Sequence, residues 1–135
     1  MIAPVSMLED PRLREIVEQA RRDIRRRARR IREREKRAGA FLPTLVRAFR
    51  DIDPDIERIV LFGSLARGGV RTEHFDIDVA VRSGRYLRLV AWALDQEFKI
   101  DVIDLDDARE CIAERIRSEG QVLYAAGERL RNPDR

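Results

Sequence analysis

The sequence predicts an α/β domain, a small sheet covered on one side by helices, preceded by a long Arg-rich helix. Three observations predict it. Short apolar runs of strand length at 58–62, 76–81 and 100–105 alternate with segments of helical periodicity. Residues 76–81 read D-I-D-V-A-V, the period-two pattern of a half-buried strand. The first 40 residues carry 13 basic and 7 acidic side chains, a net of +6, whereas 41–135 carry 15 and 18, a net of −3. The basic charge therefore belongs to an N-terminal extension, 1–40, set apart from a domain spanning 41–126 and a loose tail, 127–135.

The elements follow in order. Asp10-Pro11 is an N-cap followed by proline at the first helical position, and helix is expected from there to about Arg37. Leu13, Val17, Ala20, Ile24, Ala28 and Ile31 recur at steps of four or three and form a narrow apolar seam. Gly39 is expected to close this helix, and a second helix is expected over 41–49 on Leu42, Leu45, Val46 and Phe49. Residues 51–55, with Pro54, read as a turn. After the strand at 58–62 and the strand at 76–81, residues 86–98 return to helical spacing, with Leu89, Val90, Ala93 and Leu94 as core face and Trp92 also assigned to the core. A strand at 100–105 follows. Asp106-Asp107 are expected to cap a helix reaching about Glu119, with Ile112 and Ile116 inward and Cys111 a small buried residue. Gly120 ends it, and 121–124 adds a short strand.

Composition narrows the function. No uncharged apolar run exceeds 89–94, far short of a bilayer span, and the N-terminus lacks the basic lead and apolar stretch of an export signal. A single cysteine forms no intrachain disulfide, so a reducing cytoplasm is expected. A single histidine, His74, disfavours histidine-based metal or triad chemistry.

The chemistry concentrates in 59–81. Asp76 and Asp78 lie two apart in a strand and leave it on the same face, with Ile77 and Val79 turned to the core. Neighbouring carboxylates repel unless a cation sits between them, and hard carboxylate oxygens suit Mg²⁺, which also takes phosphate oxygens. Two such ions can hold the attacking and leaving oxygens of a phosphoryl displacement. Gly63-Ser64 ends the preceding strand where a helix can begin, so backbone N–H groups and the Ser64 hydroxyl face a phosphate, with Arg67 about one turn on. Asp101, in the third strand, completes a carboxylate trio if it faces the same way, and could ligate metal and accept a hydroxyl proton. Asp104, three residues on, should point away. Each pattern alone is also that of an ordinary turn; their order is what combines them.

In this order the residues resemble the polymerase-β-type nucleotidyltransferase superfamily. Its signature is Gly-Ser, a spacer of about ten residues, Asp-x-Asp and a later Asp, here Gly63-Ser64, eleven residues, Asp76-Ile77-Asp78 and Asp101. The size is similar to that of the minimal (MNT) nucleotidyltransferases, and 112–124, IAERIRSEGQVLY, resembles their closing helix and strand. Phe75 stands where such proteins often carry Ser. The resemblance covers about half the chain and leaves out the Arg-rich helix. It implies a small mixed sheet with helices packed on it, ATP as donor with two Mg²⁺ ions, and transfer of AMP to a hydroxyl of a partner protein. That partner would be the HEPN-type toxin of a HEPN/MNT toxin–antitoxin pair, this chain being the antitoxin. The chain lacks room for a further substrate-holding domain, so the acceptor site is expected partly on another protein.

Two other functions stay open. One is a non-catalytic module that neutralises a partner, or binds RNA, through the Arg-rich helix. The other is nucleotidyl transfer to a small molecule. The helix itself reads as a solvated rod whose seam packs on the domain or on a second copy, giving a homo-oligomer, with docking to an acidic protein partner as the alternative. Glu33 and Glu35 interrupt its charge and no aromatic is interleaved for base stacking, which disfavours nucleic acid.

Overall fold

The computed structural model describes residues 10–127. The first nine residues, where no export signal was read, and 128–135 of the expected tail lie outside them. Among the described residues no helix is long and apolar enough to cross a membrane. The elements are α1 (Pro11–Ile52), β1 (Arg58–Phe62), α2 (Ser64–Arg67), β2 (Ile77–Arg82), α3 (Tyr86–Leu94), β3 (Ile100–Asp104), a 3₁₀ turn (Leu105–Asp107), α4 (Glu110–Glu119) and β4 (Gln121–Ala125).

The sheet is mixed, in the order β3-β2-β1-β4. β1 runs antiparallel to β2 and β4, and β2 runs parallel to β3 through the crossover helix α3. Alternation divides its faces. Ile59, Leu61, Ile77, Val79, Val81 and Val102 join the main core with Leu45 and Phe49 of α1 and Leu89 of α3. Val60, Phe62 and Ala80 face the other way, against Ile116 of α4. Helices thus cover both faces, not one, because α4 carries its own apolar stripe onto the second face.

The two helices expected at the N-terminus are one. Asp10 accepts the Arg12 N–H at 2.9 Å as predicted, but α1 continues through Gly39 and Pro43. Proline normally clashes with the carbonyl four residues back, which here belongs to Gly39, the residue with the most adaptable backbone. Packing supplies the rest. Ala38, Leu45 and Phe49 are buried on either side of the interruption, and Phe41, Leu42 and Val46 pack beside them. Burial of this face outweighs a proline cost of ~3 kcal/mol.

An aromatic cluster ties α1 to α3. Phe41 stacks on Trp92 at 6.1 Å, and Phe49 meets the same ring edge-on at 5.7 Å. Trp92 is therefore a half-buried core residue. Leu94, by contrast, is exposed because α3 ends there, and Cys111 is exposed on the outer side of α4. α4 starts at Glu110, later than expected. Asp106 instead takes the Arg82 guanidinium at 3.0 Å, and Asp104 caps the 3₁₀ turn. The one buried carboxylate among the described residues, Asp53, accepts from Ser83 Oγ at 2.5 Å and from the Asp55 N–H at 3.0 Å, locking the end of α1 to the turn after β2.

Only the second half of α1 belongs to the core. Phe49→Ala should cost about 3–5 kcal/mol in urea unfolding, while Ile24→Ala should cost under about 0.5 kcal/mol. Equal costs would contradict this division.

Candidate active site

Register builds the site. β1, β2 and β3 pair so that Phe62 lies opposite Asp78 and Asp78 opposite Asp101. Asp78 and Asp101 are thus lateral neighbours on one sheet face, and Asp76 precedes β2 by one residue on the same side. Carboxylate oxygens of Asp76, Asp78 and Asp101 all lie within 4.8 Å of one another. Three acids at that spacing form a donor set that fits a hard divalent cation. Asp104 is not among them, since its side chain caps the 3₁₀ turn.

The turn after β1 faces this trio. Gly63 has φ +79°, a region open to glycine at little cost, and a Cβ there would fall on the Asp78 carboxylate. Glycine is needed twice, for the turn and to leave space for the acid. α2 has only the four residues Ser64–Arg67, so its dipole is smaller than a full helix would give. What it presents is the Ser64 hydroxyl and the N–H groups of a first turn, which have no intrahelical acceptors. Ser64, Arg67, Gly68, Gly69, Val70, Arg71, Thr72 and Phe75 line an open groove of about 530 Å³. Phe75, in the place of a serine, is buried in the core and anchors the chain entering Asp76. His74 is exposed.

Glu119, at the end of α4, escaped the sequence reading. Its Oε1 accepts the Gly63 N–H at 3.0 Å and its Oε2 takes Arg67 Nη1 at 2.8 Å. Arg115 also approaches it, at 3.3 Å. The Arg67 guanidinium, and with it the Gly63 N–H, holds this carboxyl below the usual range against the opposing effect of burial. Arg67 is therefore already engaged, braced beside the turn. No local pattern betrays Glu119, because the contact spans 56 residues. Lys99 was missed likewise; its Nζ lies 3.6 Å from Asp76.

Electrostatics mark Asp78 as the strained member. Burial, then Asp101 and Asp76, push its carboxyl up to about 6, with Arg115 opposing. A raised acid binds more protons in the folded than in the unfolded chain, so its ionisation costs stability as pH climbs from 3.8 to about 6 and in full above that. Allowing for solvent screening, the cost is on the order of 1–2 kcal/mol. Asp78→Asn should raise the melting temperature of the metal-free protein by a few degrees at pH 8, a gain that fades between pH 6 and pH 4. Thermal melts in a chelator test this; an equal gain at both ends of the range would refute it.

The family described as polymerase beta, nucleotidyltransferase matches residues 45–129, more than half of the chain. No curated protein sequence matches it. Among solved structures, the chain is similar to a mutant of the toxin-antitoxin MntA-HpeT, with 26% identity and a TM-score of 0.52 over 64% of this chain and 74% of that one. It is similar, too, to a toxin-antitoxin with AMP-PNP, with 26% identity and a TM-score of 0.52 over 65% of this chain and 76% of that one. A second MntA-HpeT mutant, 24% identical with a TM-score of 0.53 over 65% and 76%, shares the fold. Sheet, turn and carboxylates agree with the family match: the chain belongs to the polymerase β nucleotidyltransferase family and is a nucleotidyltransferase.

Proposed function

We propose that this protein transfers AMP from ATP to a hydroxyl of a partner protein, with Mg²⁺, as the antitoxin of a HEPN/MNT toxin–antitoxin pair in the cytoplasm. The observation that carries the reading is the convergence of Asp76, Asp78 and Asp101 beside the Gly63-Ser64 turn. Likeness to a toxin-antitoxin with AMP-PNP supports the adenosine nucleotide and the kind of partner.

The roles follow from position. Asp76, Asp78 and Asp101 would hold Mg²⁺, which when bound offsets their repulsion and the charge of the triphosphate. Ser64 and the backbone of its turn bind the phosphates. Arg67, braced by Glu119, lies at the groove where it can meet a terminal phosphate. The acceptor oxygen attacks the α-phosphorus; a new P–O bond forms as the bond to the bridging oxygen breaks, and pyrophosphate leaves. Asp101, the exposed member of the trio, takes the acceptor proton.

Incubation with labelled ATP, Mg²⁺ and the HEPN-type partner should label the partner, and Asp76→Ala or Asp78→Ala should lower the rate at least about 100-fold. Unchanged labelling by either variant, or neutralisation of the toxin that survives loss of both acids, would favour a non-catalytic binding module instead. Glu119→Ala frees Arg67 and the Gly63 N–H from their brace, and should raise KM for ATP about tenfold or more with a smaller change in kcat. Glu119→Gln, which keeps an acceptor for the Gly63 N–H, should recover part of that loss.

A further inference from the structure

We infer that the projecting half of α1 is a docking arm for an acidic, amphipathic helix of the acceptor protein, rooted at the nucleotide groove. The inference rests on the protein-acceptor reading above. It starts from what α1 leaves uncovered. The first residue of α1 that packs against the core is Ile31, and the first that is buried is Ala38. N-terminal to these, Ile16 and Ile24 are 64% and 68% exposed. At about 100° per residue, Leu13, Ile16, Val17, Ala20 and Ile24 share one face roughly 100° wide. Leu13 and Val17 on this face are partly buried, but among the described residues no core residue packs on it over this length.

Charge selects the occupant. Residues 21–32 carry eight arginines and one acid, Asp23, within about 18 Å of helix. By the same angles Arg27 lies just inside one edge of this face, and Arg21, Arg32 and Arg25 lie about 40–80° beyond the other edge. Among the described residues Arg21 and Arg26 pair within the helix, Arg30 pairs across to the groove loop, and Arg25, Arg27, Arg29 and Arg32 make no ion pair. A second copy would bring like charge against like charge. RNA would leave the isoleucines unused and finds no aromatic for stacking. A membrane surface needs a broader apolar face than this seam with its two alanines, Ala20 and Ala28. A helix with an aliphatic stripe and flanking Glu or Asp satisfies both the seam and the arginines.

The root of the arm gives the surface its purpose. Glu35 Oε2 accepts the Val70 N–H at 3.1 Å, and Arg30 holds Glu73 at 3.1 Å. Both contacts are to the loop that joins Ser64 to Asp76 and lines the groove. A helix lying along the arm is therefore led to the mouth of the carboxylate site.

The test uses the full chain and a fluorescent synthetic heptad peptide with Leu at the core positions and Glu at the flanks. Saturable binding is expected, at least about tenfold weaker at high salt and in Arg25→Glu/Arg32→Glu, and weakened also by Ile24→Ser. All three sites are exposed, so folding is retained. Absence of peptide binding would overturn the inference. So would tighter binding of a single-stranded RNA 20-mer or of anionic vesicles, or a dimer in sedimentation that Ile24→Ser dissociates. The thermal shift produced by ATP with Mg²⁺ should be the same in the arm variants and in the unaltered chain. Its absence from the unaltered chain would count against nucleotidyl transfer and leave the peptide result to judge the arm.

Discussion

The register of β2 between β1 and β3 is the constraint on which the site depends. β2 buries Ile77, Val79 and Val81 on one face, and that burial fixes which residues turn to the other. A slip of one residue would put two carboxylates into the main core and three aliphatic side chains into the groove. The parallel pairing to β3 then sets Asp101 beside Asp78 with no further device. The hydrophobic effect thus holds three mutually repelling acids together, at a cost that falls mainly on Asp78.

Around that face the loops are tied from three directions. Phe75 anchors the chain before Asp76 in the core. Glu119 of α4 braces Gly63 and Arg67. Glu35 of α1 holds the middle of the intervening loop through the Val70 N–H. Gln121 adds a fourth tie by donating to the Ala66 carbonyl at 2.7 Å at the end of α2. A groove whose walls are bonded to separate elements presents its donors in place, which lowers the reorganisation that binding and reaction require.

Much of this was legible in the sequence where the information is local. Alternation in 76–81 announced β2 and the shared side of Asp76 and Asp78. The odd offset between Asp101 and Asp104 separated a member of the carboxylate trio from a residue that caps the 3₁₀ turn. What was illegible depends on partners far along the chain. Gly39 and Pro43 signal a break by local rules, and only the burial of Ala38, Leu45 and Phe49 together keeps α1 continuous. Cys111 has a composition suited to burial but sits on the solvent side of α4, a phase that the sparse apolar pattern of 110–119 did not settle. Glu119 resembles any acid at a helix end until the fold brings it to Gly63. The coverage of the second sheet face by α4 follows from the same limit, since periodicity gives the stripe of a helix and not the surface it meets.

The split of charge along the chain has a physical logic beyond composition. A site of three carboxylates disfavours a triphosphate unless cations attend it, and the fixed ones at hand are Lys99 beside Asp76, Arg115 facing Asp78, and Arg67 and Arg71 lining the groove. The outer part of the arm contributes little to that task. Screening at physiological salt falls off over about 8 Å, and Arg21 and Arg22 stand about 12–14 Å along the helix axis from Arg30, the arm residue bonded to the groove loop. Charge placed further out does little for the nucleotide. Eight arginines within three turns also lower the stability of an isolated helix by mutual repulsion, a cost that the intrahelical pairs of Arg21 and Arg26 only partly offset. Outer arginines that neither serve the nucleotide nor stabilise their own helix gain their rationale from something that binds to them.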